Sequence, residues 1–313
     1  MTYRSAMTEY IGIDIGATRI KAGLVNEDDQ ITREHMFWLH EYEKGPRAML
    51  EILVNVVNSV SPTGRPSVVG VGVPGVVERQ TGVLRRSPNF PDFRDFPLRE
   101  KLVDLLSCTV NVDNDANCVI AGEFLGGVAK DRKNVIGLTL GTGVGGAIIL
   151  NGKLWRGVNG MAGESGHVIA DPAGQLCKAT DVRGPLEMYP SLVGLREMCR
   201  TYPVPNVDPN NPDLPRMLSN AAAKGDPTAR SHFRTAGRCM GRVLGGLLNV
   251  FDVKTIVITG GISAAYPWME QSTLETLSPI VYPEILDGAE ILLGNMGDNA
   301  GVLGAAMNWK LGD

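Results

Sequence analysis

Residues 11–26 read IGIDIGATRIKAGLVN, and residues 136–151 read IGLTLGTGVGGAIILN. The two stretches align without a gap. They share an opening Ile-Gly, a glycine at the turn (Gly16, Gly141), an alanine (Ala22, Ala147) and a closing asparagine (Asn26, Asn151). Each reads as an apolar strand, a turn of small residues, a second apolar strand and a polar turn, which is a β-hairpin. Glycines matched at the turn point to an internal repeat, the alternative being two unrelated hairpins of similar composition.

Outward from the hairpins, strands alternate with helices. Val68–Val73 is a glycine-spaced strand closed by Pro74-Gly75. Pro46 opens a helix with Met49, Leu50, Leu53, Val54, Val57 and Val60 on one stripe, and Pro97 opens another with Leu98, Leu102, Leu105 and Leu106. Val110–Val112 is a short strand, after which Asp113-Asn114-Asp115 caps a helix over about 116–125. The longest amphipathic pattern runs from Ala229 to Phe251 and leads into the strand Thr255–Thr259, ended by Gly260-Gly261. Residues 203–215 carry five prolines and read as an exposed loop. The alternation predicts an α/β fold.

A chain of 313 residues exceeds what one core usually serves, so two lobes are expected. Thirty Lys and Arg against 34 Asp and Glu leave a net charge of −4, which gives no basic surplus for nucleic acid or a membrane surface. No run of 18 apolar residues exists, and the opening MTYRSAMTEY lacks the apolar core of a leader, so a cytoplasmic protein is expected. The five cysteines are odd in number and scattered, which reads as reduced thiols. Glycine is in excess, 38 residues, and demands tight turns or close backbone approach.

Hairpin tips of Gly and Thr let backbone N–H groups approach a phosphate chain where larger side chains would clash. The first tip follows Asp14, a lone acid in an apolar strand. Such a carboxylate is costly unless it faces a ligand, and a Mg²⁺ ion held through water would justify it; an exposed strand face is the plainer reading. There is no GxxxxGK[ST] run. GTGVGG at 141–146 leads into a strand, not the helix that a dinucleotide fingerprint needs.

These residues resemble the sugar kinases and repressors of the ROK family, within the actin-like ATPase superfamily, over about residues 9–309. IGIDIGATRIKAGLV looks like the family's first phosphate motif, with Ala17 where a second glycine is common, and LGTGVGGAIILNGKLWRG like its second. SPNF (87–90), NVDNDANC (111–118), AGESGH (162–167) and PLE (185–187) follow in the family's order. The resemblance implies a two-lobed, ribonuclease H-like α/β fold with a cleft. The small lobe would be 1–119 with 301–313, and the large lobe 120–300.

It further implies an ATP-dependent hexose kinase that uses Mg²⁺, with glucose as first choice and O6 as acceptor. Mannose, fructose, allose or an N-acetylated amino sugar are alternatives, as are a polyphosphate donor and a non-catalytic sugar-sensing regulator. Regulators of the family carry a DNA-binding region ahead of the first motif, and only about ten residues precede Ile11 here. Asp115 is implied as general base, with helix capping the plainer role for the 113–115 run. Asn89, Asn114, Glu164, His167 and Glu187 are implied as sugar contacts with Asp115. Their plainer readings are a turn residue for Asn89, a loop acid for Glu164 and a satisfied histidine for His167. Asp14, Gly16, Ala17, Thr18, Lys21, Gly141, Thr142, Gly143, Gly260 and Gly261 are implied around the nucleotide, the last two reading equally as a plain turn. A homodimer is implied. Most members hold zinc with the GExGH histidine and three cysteines. Here only Cys177 stands in place, with Ala179 and Pro185 where thiolates would be, so no zinc is expected and Glu187 is the least secure site residue.

Overall fold

The structure, a computed structural model, describes residues 8–40 and 45–312. The start of the stretch read above for a leader lies outside them. Among the described residues no helix is long and apolar enough to cross a membrane.

In chain order the elements are β1 (Tyr10–Ile15), β2 (Arg19–Val25), β3 (Ile31–Trp38), α1 (Pro46–Val60), β4 (Val68–Val73), β5 (Val76–Glu78), β6 (Val83–Arg86), β7 (Arg94–Phe96), α2 (Leu98–Leu106), β8 (Thr109–Asn114) and α3 (Asp115–Leu125). Next come β9 (Val135–Leu140), β10 (Val144–Leu150), β11 (Lys153–Trp155), β12 (Leu176–Cys177), β13 (Val182–Arg183), α4 (Leu192–Thr201), α5 (Leu214–Ala223) and α6 (Pro227–Phe251). The chain closes with β14 (Thr255–Thr259), α7 (Glu270–Leu277), α8 (Pro283–Leu286), β15 (Glu290–Leu293) and α9 (Asn299–Met307).

The repeat seen in the sequence is carried into the backbone. β1 and β2 map onto β9 and β10 residue for residue in the alignment above. One sheet runs β3-β2-β1-β4-β8 and another β11-β10-β9-β14-β15. In each, the first strand of the hairpin continues into parallel neighbours, β4 and β8 in one case, β14 and β15 in the other. The duplication therefore covers sheet order as well as the hairpins.

The chain divides into two compact units. One holds the described residues up to Lys133, Ala147–Ala162 and those from Asn295 onward; the other holds Asn134–Gly146 and Gly163–Gly294. Residue 119, the boundary expected from the sequence, falls within α3, all of which lies in the first unit.

In the first unit, Gly23, Gly12 and Gly70 stand side by side across β2, β1 and β4. α9 lies against this row backbone to backbone. A Cβ on Gly12 would fall 1.8 Å from the Val302 carbonyl oxygen, and one on Gly70 1.7 Å from that of Ala305. α3 meets α9 in the same way, Gly122 against Ala300 and Gly304 against Cys118. On α1 the buried stripe is Met49, Ile52, Leu53, Val56, Val57 and Val60; Leu50 and Val54, expected on it, are only half-buried. α2 buries Leu98 and Leu102 while Leu105 is exposed, so its stripe is narrower than the leucine spacing predicts.

In the second unit, α6 is capped by Asp226, whose carboxylate accepts the Ala229 N–H at 2.8 Å, and starts with Pro227. Its Gly237 and Gly241 face α7, where Cβ atoms would fall 2.1 Å from Ser272 Oγ and 2.5 Å from the Thr273 carbonyl oxygen.

Gly70→Ala should lose about 1–3 kcal/mol or more, because a Cβ there meets backbone that cannot yield locally. Gly246→Ala, whose Cβ would meet nothing within 4 Å, should be neutral or stabilising by up to about 1 kcal/mol. Urea unfolding of both variants checks this. An unchanged midpoint for Gly70→Ala would contradict the glycine-row packing.

Candidate active site

β1 carries Asp14 as its penultimate residue and turns through Gly16-Ala17-Thr18 into β2. The Gly16 N–H donates to the Arg19 carbonyl at 2.8 Å, and Thr18 O accepts the Leu39 N–H at 2.9 Å. Ala17 is partly covered and Thr18 exposed. Burial of its carboxyl, then the charges of Asp115 and Asp298, push Asp14 up from 3.8 to about 7 against the pull of Arg19 and Lys21. Those cations are partly spent elsewhere. Arg19 Nη2 pairs with Asp298 Oδ1 at 2.7 Å. Lys21 Nζ reaches Asn299 Oδ1 at 2.6 Å and Glu34 Oε2 at 3.2 Å. Asp298 and Asn299, at the entry to α9, were not singled out from the sequence. The signal was present as Gly297-Asp298-Asn299 ahead of a helix of small residues.

Asn114 is the N-cap of α3. Its Oδ1 accepts the N–H groups of Ala116 (2.9 Å) and Asn117 (3.2 Å), and its Nδ2 donates to the Gly75 carbonyl at 3.1 Å. The carbonyl lone pairs are thereby used, and one amide N–H is left for a ligand. Asp115 opens the helix, its Oδ1 accepting its own helix's Ala116 N–H at 3.0 Å. Asn89 is half-buried in the loop after β6, which Phe90 and Phe93 anchor by an edge-on contact at 5.8 Å. Ser87, two residues earlier, is buried with its Oγ unpartnered, a polar atom that the sequence reading passed over.

In the second unit, Gly141-Thr142-Gly143 joins β9 to β10. The Gly141 N–H donates to Gly143 O at 3.0 Å, and the carbonyls of Gly141 and Thr142 accept from Leu192 and Val193 at the start of α4 (2.9 and 3.2 Å). A Cβ on Gly141 would meet nothing within 4 Å, and its φ is one any residue adopts. Neither fold nor packing requires glycine there, whereas close approach of a ligand would. Gly261 is equally open. Gly260 differs: its φ is +93° and a Cβ would fall 2.5 Å from the Leu140 carbonyl oxygen, so the turn itself needs it. Thr139 and Thr259 are partners in register, so both glycine turns leave the same end of adjacent parallel strands.

The sugar-contact candidates of this unit also meet. His167 Nε2 lies 3.8 Å from Glu164 Oε2, and its Nδ1 lies 3.9 Å from Glu187 Oε1. The Cys177 thiol donates to Glu187 Oε1 at 3.4 Å, and Glu187 Oε2 lies beside Gly143. Ala179 and Pro185 bring no ligand. Among the described residues no group of three or more His, Cys, Asp or Glu side chains is placed to hold a metal.

A carboxyl at 3.8 when unfolded and about 7 when folded binds a proton more readily in the folded state. Between those values the folded chain carries more proton, so its stability falls as pH rises, then levels above about 7. Without divalent ions, the stability of the parent relative to Asp14→Asn should therefore drop between about pH 5 and pH 8. Denaturant unfolding at the two pH values measures it, and parallel profiles would count against the burial of Asp14.

The chain is similar over nearly its whole length to known proteins. The glucokinase of Thermotoga maritima is 31% identical over 310 residues, covering 95% of each chain. The crystal structure of a ROK family glucokinase from Streptomyces griseus, in complex with glucose and AMPPNP, superposes with a TM-score of 0.78 at 30% identity, covering 95% of this chain and 98% of that one. The xylose repressor of Bacillus subtilis is 26% identical over 299 residues, 94% of this chain and 75% of the repressor. The model of the ROK family matches residues 10–311, nearly the full length, and the chain belongs to the ROK family.

Proposed function

We propose that the chain is an ATP-dependent hexose kinase that moves the γ-phosphoryl group to a sugar hydroxyl, with O6 of glucose as first acceptor. The observation that carries this reading is the carboxylate Asp14 with the charge of Asp115 acting on it, on an α/β scaffold in which Gly141 and Gly261 have no packing reason to be glycine. Relatives named glucokinase at about 30% identity, and a neighbour solved with glucose, favour glucose over other hexoses.

Asp115 accepts the proton of the attacking hydroxyl as the new O–P bond forms, its carboxylate oriented by the first turn of α3. Asn114 supplies the amide N–H left over from its capping role to a neighbouring hydroxyl. Asn89, Glu164, His167 and Glu187 supply further sugar hydrogen bonds, Glu164 and Glu187 keeping the imidazole of His167 turned to a fixed face. Each such contact costs an analogue lacking the hydroxyl a hydrogen bond. The backbone of Gly16-Ala17-Thr18 and Gly141-Thr142-Gly143 offers N–H groups to phosphate oxygens. Lys21 adds charge, and Gly260 and Gly261 leave room for the nucleoside. The residues fit a Mg²⁺ ion: Asp14 is a carboxylate whose neighbouring cations do not neutralise it, and it would hold the ion through water. Bound there, Mg²⁺ supplies charge neutralisation of the phosphate oxygens.

The match to a xylose repressor keeps a non-catalytic sugar sensor as the second reading. An ADP-release assay with Mg-ATP over glucose, mannose, fructose, allose, N-acetylglucosamine and N-acetylmannosamine separates the two. A single preferred sugar establishes the kinase, whereas binding without turnover supports the sensor. Asp115→Asn should keep the fold and sugar affinity and lower kcat by about 10²–10⁴-fold. Turnover near the parent's would remove Asp115 from the role of base.

A further inference from the structure

Directly before the Asn114-Asp115 pair lies Asp113, buried to 5% exposure, and it is paired with an equally buried arginine, Arg156. Both oxygens of Asp113 are saturated. Oδ1 accepts the Asn114 backbone N–H at 2.8 Å and the Asn117 Nδ2 at 2.9 Å, both belonging to the turn that starts α3. Oδ2 accepts Arg156 Nε at 2.9 Å and Asn308 Nδ2 at 3.1 Å, from the segment after β11 and the end of α9. Arg156 is held in turn through Nη1, which donates to the Gly312 carbonyl at 2.8 Å.

A buried ion pair is poor value as a stabilising device, since apolar residues of similar size fill the same space at no desolvation cost. Its distinctive property is direction. One carboxylate oxygen grips the peptide that carries Asn114 and Asp115, and the other is fixed to two segments remote in sequence. Rotation of the Asp113 side chain would tilt the first turn of α3 and displace the Asp115 carboxylate.

We propose that Asp113 and Arg156 are positioning residues for Asp115, holding its carboxylate in line with the attacking hydroxyl. This rests on Asp115 acting as the base. Neither residue touches substrate in the proposal, and both act through the Asn114 peptide.

The test compares Asp113→Asn, the double variant Asp113→Asn with Arg156→Met, and Asp115→Asn, assayed with Mg-ATP and the panel sugar of highest kcat/KM. The double variant removes both charges, so it leaves no unpaired ion in the interior. Thermal melts, kcat and both KM values are recorded for each. The expected result is a double variant that melts close to the parent, with kcat lowered about 10- to 100-fold and both KM values within about twofold, the pattern of a misplaced catalytic group. Introduced into Asp115→Asn, the same two substitutions should change the residual turnover less than about twofold, since no base remains to be misplaced. Hydrogen exchange gives a readout independent of turnover, and the amides of residues 114–117 should exchange at least about tenfold faster in the double variant.

A parent-like kcat, or unchanged exchange at 114–117, in a folded double variant overturns the positioning role while leaving Asp115 as base. Parent-like turnover in Asp115→Asn overturns the underlying reading and the proposal with it. Should the double variant not fold, Asp113→Asn carries the same comparison, because its amide oxygen still accepts from the Asn114 N–H while the charge that aligns Arg156 is gone.

Discussion

Backbone-to-backbone seating of α9 on the glycine row of the first sheet is the constraint from which the rest of the first unit follows. Gly12 and Gly70 let the helix descend until its carbonyl oxygens occupy the space that Cβ atoms would take. At that depth the first turn of α9 reaches the end of β1. A Cβ on Gly301 would lie 2.5 Å from Asp14 Oδ2, so the small residue at this turn makes room for the carboxylate. The same closeness strips water from Asp14 and brings Asp298 and Asn299 against Arg19 and Lys21. Through Gly122 and Gly304 the helix also fixes α3, and α3 carries Asn114 and Asp115 at its start. Packing by glycine therefore places both carboxylates of the candidate site relative to each other.

The two carboxylates then differ by environment. Asp14 sits in a strand where burial and the charges of Asp115 and Asp298 outweigh Arg19 and Lys21, and it holds its proton up to about pH 7. Asp115 sits at a helix start, its Oδ1 accepting the Ala116 N–H. Under the proposed function, a cation at Asp14 would relieve the first imbalance, and the proposed cation site and the proposed base would then be one electrostatic arrangement. The second unit has another character. Its glycine turns and its Glu164, His167 and Glu187 are a set of hydrogen-bonding groups.

The hairpins, the strands Val68–Val73 and Thr255–Thr259 and the long helix to Phe251 are legible in sequence because each is decided by local pattern: period, turn residues and caps. The glycines inside β1, β2 and β4 carry a signal too, since glycine within a strand marks close approach by other backbone. What approaches is not legible, because α9 (Asn299–Met307) lies at the far end of the chain from these strands and its run of small residues has no periodic stripe. Arg156 was passed over for a similar reason. An arginine after an exposed tryptophan in a hairpin reads as solvated, and only contacts with Asp113 and Gly312 show it buried. Asn114 was legible as cap or ligand. The structure shows a cap that keeps one N–H in hand, so the two readings are compatible.

The stretch between Val168 and Leu186, in which Ala179 and Pro185 offer no thiolate, is held by its own backbone. Gly184 O accepts from both Ala170 and Asp171, the Gly184 N–H donates to Gln175 O at 2.7 Å, and Leu186 donates to Val168 O at 2.9 Å. Arg242 reaches across to the Ala170 carbonyl at 3.0 Å. The arrangement depends on Gly184, whose φ of +68° and whose approach to the Asp171 carbonyl exclude a side chain. The short helical turn bearing Glu187 is thus tied at Leu186, while the Ser191 hydroxyl holds the Glu187 carbonyl from the other side. Hydrogen bonds of this kind are individually weak, but buried together they define one geometry. Cys177 is a buried donor to the carboxylate beside it.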